Sequence, residues 1–227
     1  MMQDKYRLGR VHDPETPRAA ALHPVRAATS DLTAKKWPQD GAWLDQGPYG
    51  TCVGNAFAHR RADGPVPILN ITETWARKLY LDASGDTTYQ QGTSGYAACR
   101  VLLSRGAISA FDWVLTPEDL RYTILELGSV CVGIPWYNSM FTPKTVDSQR
   151  YIEVDPSSGL AGGYEFVVNG IDLAPWDNLP PYYRMKNSWG RGWSKNGTAR
   201  FRLEDLENLI FGSWGDAVLI HELPRKT

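Results

Sequence analysis

Apolar positions change their period near the middle of the chain. Over 53–62 only Gly54 interrupts a helix, with Ala56, Phe57 and Ala58 apolar. The spacing over 72–83 predicts an amphipathic helix with Trp75, Leu79 and Leu81 facing the core. A further helix is predicted over 96–104, its apolar face Ala97, Val101 and Leu102 and its end at Gly106. Residues 107–109 begin an extended link to Trp113. Thr116 then reads as an N-cap with Pro117 in the first position of a helix running to about Leu127, closed by Gly128. Beyond that point the pattern alternates. Strands are predicted over 129–135, 163–168, 183–186, 199–202 and 217–220, with a short helix over 204–209 covering the sheet edge. The class is α+β.

Residues 1–40 show no sustained period and are punctuated by Pro14, Pro17, Pro24 and Pro38. They read as an extended N-terminal arm that drapes over the body or reaches a partner in a larger assembly, or as a plain linker. Residues 41–227 then form the domain, with a helical lobe over about 42–127 and a β lobe over about 128–227.

Composition narrows the function classes. A chain of 227 residues suits one domain or one two-lobed domain. A formal net charge of −1 gives no reason to expect nucleic acid or an anionic membrane as a partner. No apolar run reaches spanning length, and the first residues are too polar for a secretory signal. Cys52, Cys99 and Cys131 are an odd set that reads as free thiols, in a reducing compartment or buried. A cytoplasmic or virion-associated protein is expected. No cluster has metal-ligand spacing, so neither a metal nor a cofactor is expected.

The candidate chemistry lies at 45–58, where a glycine-containing turn, Gln46-Gly47-Pro48-Tyr49-Gly50-Thr51, delivers Cys52 to the mouth of a helix. Free N–H groups and the helix dipole favour a thiolate there. Gln46 is placed to aim its amide at the same spot, as an oxyanion donor does. A buried structural cysteine is the plain alternative. Gln46, Gly47, Gly50 and Cys52 resemble the active-site segment of papain-like cysteine peptidases. Asn187-Ser188-Trp189-Gly190, with Trp193 and Asn196-Gly197 downstream, is similar to that family's second signature. The resemblance implies that Asn187 orients a catalytic histidine and that Trp189 covers that hydrogen bond. It also implies a two-lobed fold, a helical left lobe facing an antiparallel, β-barrel-like right lobe across a cleft. In relatives a glycine-containing stretch near Gly92 holds the substrate backbone, so Gly92 and Trp189 are the substrate-side candidates. For Gly92 a turn or helix-cap role is the favoured reading over substrate binding.

The departure is at 162–172. Gly162-Gly163-Tyr164 stands where the family reads Gly-Gly-His, so a tyrosine takes the histidine position and the general base is missing. A phenol with a reference pKa near ~10 is a poor base at neutrality, though it can hydrogen-bond to Cys52 and Asn187. His12, His23 and His221 have no counterpart in the family. His59 lies about two turns, roughly 10 Å, along the Cys52 helix, and the Glu165 side chain faces away from that of Tyr164. Losing general acid–base help typically costs about 10²–10⁴-fold. Three readings follow. One is a papain-like homologue, impaired or inactive, that binds a protein or peptide in the interlobe cleft or serves as a structural part of a bacterial or phage assembly. The second is a working thiol peptidase in which Tyr164 is a variant. The third is a thiol reagent or redox partner using Cys52 alone.

Overall fold

The structure, a computed structural model, describes residues 5–13, 15, 24–25, 28–68, 70–175 and 179–223. Pro14, Pro17 and His23 lie outside the described residues. Three helices, α1 (Cys52–Asp63), α2 (Glu73–Ser84) and α3 (Gly95–Ser104), fill the first half. Thr72 and Ser94 cap α2 and α3 by accepting backbone N–H groups of Trp75 and Ala97. A fourth helix, α4 (Pro117–Tyr122), starts with the reciprocal capping pair Thr116 and Asp119 and runs into a wider turn that stops at Gly128.

The second half supplies seven strands of a nine-stranded, largely antiparallel sheet, and the first half supplies two. Its strands are β1 (Ala34–Lys36), β2 (Ile108–Trp113), β3 (Val130–Tyr137), β4 (Lys144–Val146), β5 (Gln149–Tyr151), β6 (Leu160–Asp172), β7 (Tyr182–Lys186), β8 (Thr198–Arg202) and β9 (Asp216–Glu222). They run in the order β2-β9-β3-β6-β7-β8-β5-β4, with β1 on β6. Helix α5 (Leu203–Phe211) follows β8. The long β6 pairs first with β3 and then with β7, so Tyr164 faces Ile134 in one register and Val167 faces Lys186 in the other.

Buried ion pairs fix α1 against this sheet. Lys186 on β7 donates to both carboxylate oxygens of Asp63 at 2.8 Å, and Arg60 pairs with Glu222 on β9. Opposite charges buried this completely hold one relative placement of helix and sheet, because removing either partner strands the other.

Several expectations shift. In α2 the buried face is Ala76, Leu79 and Tyr80, while Leu81 is half-buried. In α3 it is Ala98, Cys99 and Leu102 rather than Ala97 and Val101, a rotation of about one residue. The link before Trp113 is strand β2, whose register slips between Ile108 and Ala110 and so breaks the alternation. The β4–β5 hairpin turns through Asp147 and Ser148, both at positive φ (44° and 65°), without the glycine that signals such a turn.

Candidate functional site

Cys52 is the first residue of α1 and is fully buried. Helix α1 lies close on α2 because a Cβ at Gly54 would sit 2.3 Å from the Ala76 carbonyl oxygen. The backbone N–H groups of Glu165, Gly9 and Val53 point at the Cys52 sulfur and favour its charged form. Burial outweighs them and pushes the thiol up to about 12. The expectation of an activated, low-pKa thiol is therefore corrected: the helix mouth is present but closed to water.

Gln46 and Asn187 are brought to the same place by two loops that pair with each other. The Gln46 N–H donates to the Ser188 carbonyl at 2.9 Å, and Gly190 N–H donates to Leu44 at 3.2 Å. Between the two amides lies Tyr164. Its hydroxyl donates to Asn187 Oδ1 at 2.6 Å and lies 3.1 Å from Gln46 Oε1. Asn187 Oδ1 also accepts the Ser188 N–H, while its Nδ2 is buried without a partner. The Tyr164 ring packs against Trp136 and Trp189, each 4.9 Å away between centroids. Burial, then the neighbouring Cys52, push the phenol well above its usual range. It holds its proton and works as a hydrogen-bond donor.

Among the described residues no imidazole takes over. His59 accepts the Leu44 N–H on Nε2 at 2.9 Å, its Nδ1 faces Ser188 Oγ at 3.4 Å, and burial drives it well below the ordinary histidine range. His221 pairs with Asp112 at 2.8 Å, and His12 lies edge-on to Trp214. The Glu165 side chain is turned toward Arg10 and α3, and its backbone N–H faces the thiol.

The cleft is filled by the chain's own N-terminal segment. Tyr6 stacks on Trp189 with centroids 4.6 Å apart, and Phe141 stacks on Trp189 at 5.5 Å. The Arg7 carbonyl accepts from Gln46 Nε2 at 2.7 Å, and the Tyr49 carbonyl accepts from the same nitrogen at 2.8 Å. Arg10 N–H donates to Gly163 at 3.0 Å. The segment pairs in parallel with Thr93, which donates to Gly9 at 2.9 Å and accepts from Val11 at 2.8 Å. Gly92 is therefore a close-approach residue: at φ +85°, a Cβ on it would lie 2.4 Å from the Gly9 carbonyl oxygen. The backbone pairing belongs to Thr93. The Gly92–Thr93 loop is itself held by Asp86, which accepts from Tyr80 Oη and from the backbone of Gln90 and Gln91 at 2.7–2.8 Å.

The Arg10 side chain enters a pocket that sequence reasoning missed. It donates to Asp216 at 2.6 Å and to the Trp214 carbonyl at 3.1 Å, with Glu165 at 3.8 Å. Glycines make the room, since a Cβ at Gly133 would fall 1.9 Å from Arg10 Nε. Burial, then the nearby Asp216, raise Glu165 to about 8 against the pull of Arg10. Asp216 is also raised by burial. A usable signal was present in the sequence: Tyr6, Leu8 and Arg10 alternate, and their side chains face inward while Arg7 and Val11 are exposed.

No protein-family model and no curated protein matches this chain. Solved structures do. Xylellain, a cysteine protease from Xylella fastidiosa, superposes with a TM-score of 0.74 at 16% identity, over 97% of this chain and 98% of its own. Procathepsin B S9 from Trypanosoma congolense gives 0.71 at 15% identity over 99% and 89%. The bromelain protease from Ananas comosus in complex with the E64 inhibitor gives 0.59 at 14% identity, covering 85% of this chain and 100% of its own. With the helical half facing the antiparallel sheet and the two motifs meeting between them, the chain has the fold of the papain-like cysteine proteases.

Proposed function

We propose that this protein is a peptidase homologue without peptidase turnover that acts by binding a peptide or protein segment in its interlobe cleft. The observation that carries the reading is the Tyr164 hydroxyl, which donates to Asn187 Oδ1 at 2.6 Å, the bond that the family resemblance would give to an imidazole. Two further facts support it. Burial pushes the thiol up to about 12 and so disfavours the thiolate at neutral pH, and among the described residues no proton carrier is placed to help a leaving amine. The cleft also has the features of a peptide site: backbone pairing at Thr93, an aromatic shelf at Trp189 and an acidic pocket that accepts Arg10.

Casein and small amide substrates are expected to remain uncut by the intact chain, and iodoacetamide to label Cys52 far more slowly than a free cysteine. Turnover that disappears in Cys52→Ser would refute this reading. A second reading, a thiol hydrolase held latent by its arm, draws support from Gln46 Nε2, which makes to the Arg7 carbonyl the contact an oxyanion donor makes. It requires that Arg10→Ala, by loosening the arm, switches on hydrolysis.

A further inference from the structure

Residues that take no part in the thiol site line a cavity of about 570 Å³ that is strongly cationic. Lys36, Arg150, Arg184, Arg191, Lys195 and Arg200 face it, with Asp40 the one carboxylate. None of the six makes an ion pair among the described residues, although ion pairs are common elsewhere in the chain. Strand register creates the concentration. Lys36 lies opposite Gly170, Gly170 opposite Arg184, and Arg184 opposite Arg200, so one row across β1, β6, β7 and β8 carries three cations. Like charges directly opposite on neighbouring strands repel. Arg184 and Arg200 are half-buried, and the Nη1 of Arg184 is shielded from water with no partner.

The aromatic residues at the rim do not offer open faces to a flat ligand. Trp43 is covered by Lys186 at 4.7 Å and Arg191 at 5.1 Å, and Tyr182 by Arg200 at 3.8 Å. They hold the guanidinium groups in position. What the pocket lacks is negative charge, and four of its six cations are arginines, whose forked donors match tetrahedral oxyanions. Its volume falls within the range of small-molecule sites.

We propose that this pocket binds a small, multiply charged oxyanion of the di- or triphosphate class. Six cations against one carboxylate favour an anion that carries several charges over a single phosphate. Binding relieves the cross-strand repulsion, so the anion both occupies the site and stabilises the sheet.

The test is calorimetric titration of the intact chain with sodium tripolyphosphate, pyrophosphate, orthophosphate and citrate at fixed ionic strength. One saturable site with tripolyphosphate and pyrophosphate well ahead of orthophosphate and citrate is expected. Arg184→Gln is expected to weaken tripolyphosphate about 10- to 100-fold, the loss of a charge-assisted hydrogen bond. Arg191→Gln, at the exposed rim, provides the same test if the first variant misfolds. Lys78→Ala, on α2 and outside the pocket, is expected to change nothing. The proposal is overturned by absence of saturation, by citrate binding as well as tripolyphosphate, by equal weakening in Lys78→Ala, or by heparin or single-stranded DNA binding equally well per charge.

Discussion

Arg10 in the cleft and Arg184 in the cationic pocket are both arginines held against strands of one sheet, yet their surroundings are opposite. Arg10 is buried between Asp216 and Glu165, against the Trp214 carbonyl and ring, and its Nε and Nη1 have no hydrogen-bond partner. Arg184 faces another arginine and leaves a shielded nitrogen unsatisfied. A burial cost for charge applies to both. In the cleft two carboxylates lie in ion-pair range of the guanidinium; Arg184 has no ion pair among the described residues, with Asp63 as the carboxylate whose charge reaches it. The contrast separates a site already filled from one that is built to be filled.

Four substitutions or conditions test the contrast. The largest effect is expected for Arg10→Ala, which leaves Asp216 buried without the guanidinium it pairs with at 2.6 Å. Breaking such a group typically costs about 3–5 kcal/mol, read as a lower Tm and faster hydrogen exchange at the Val11 and Thr93 amides. Gly133→Ala comes next. Its methyl cannot coexist with the seated guanidinium, and about 1–3 kcal/mol of overpacking should appear as displacement of the arm.

The third is a pH effect. Glu165 is raised from its usual 4.5 to about 8 by burial, then by Asp216, so the folded protein holds a proton that the unfolded chain has released. This contribution to stability is complete below about 4.5 and is lost as pH rises toward about 8. The slope is at most about 1.4 kcal/mol per pH unit, and Glu165→Gln should flatten it in denaturant titrations from pH 5 to 8. Smallest is Arg184→Gln without added anion. Relief of the cross-strand repulsion should raise stability by about 0.2–1 kcal/mol; a Tm that falls instead would mean Arg184 already has its partner.

Much of the site was legible because its parts sit in short runs with fixed chemistry. Gln46 and Cys52 share one turn, Asn187 and Trp189 share another, and Tyr164 follows two glycines. What could not be read is what depends on distance across the fold. The Cys52 thiol looked activated from its helix position, and only burial by the arm and by β6 reverses that. Arg10 carried no chemistry in sequence because Asp216 and Glu165 lie on strands far along the chain. Strand β2 was hidden by its bulge, and the β4–β5 hairpin by a turn without glycine.

The segment that fills the cleft belongs to the same polypeptide, and this sets a threshold for any competitor. A covalently attached occupant presents itself at a local concentration of roughly millimolar order, and dilution does not remove it. A free peptide would have to exceed that level, or carry a better fit for the Arg10 pocket and the Trp189 shelf, before it displaced residues 6–11. Exchange at this groove is therefore governed by relative affinity against a tethered rival, not by how much open groove a partner meets.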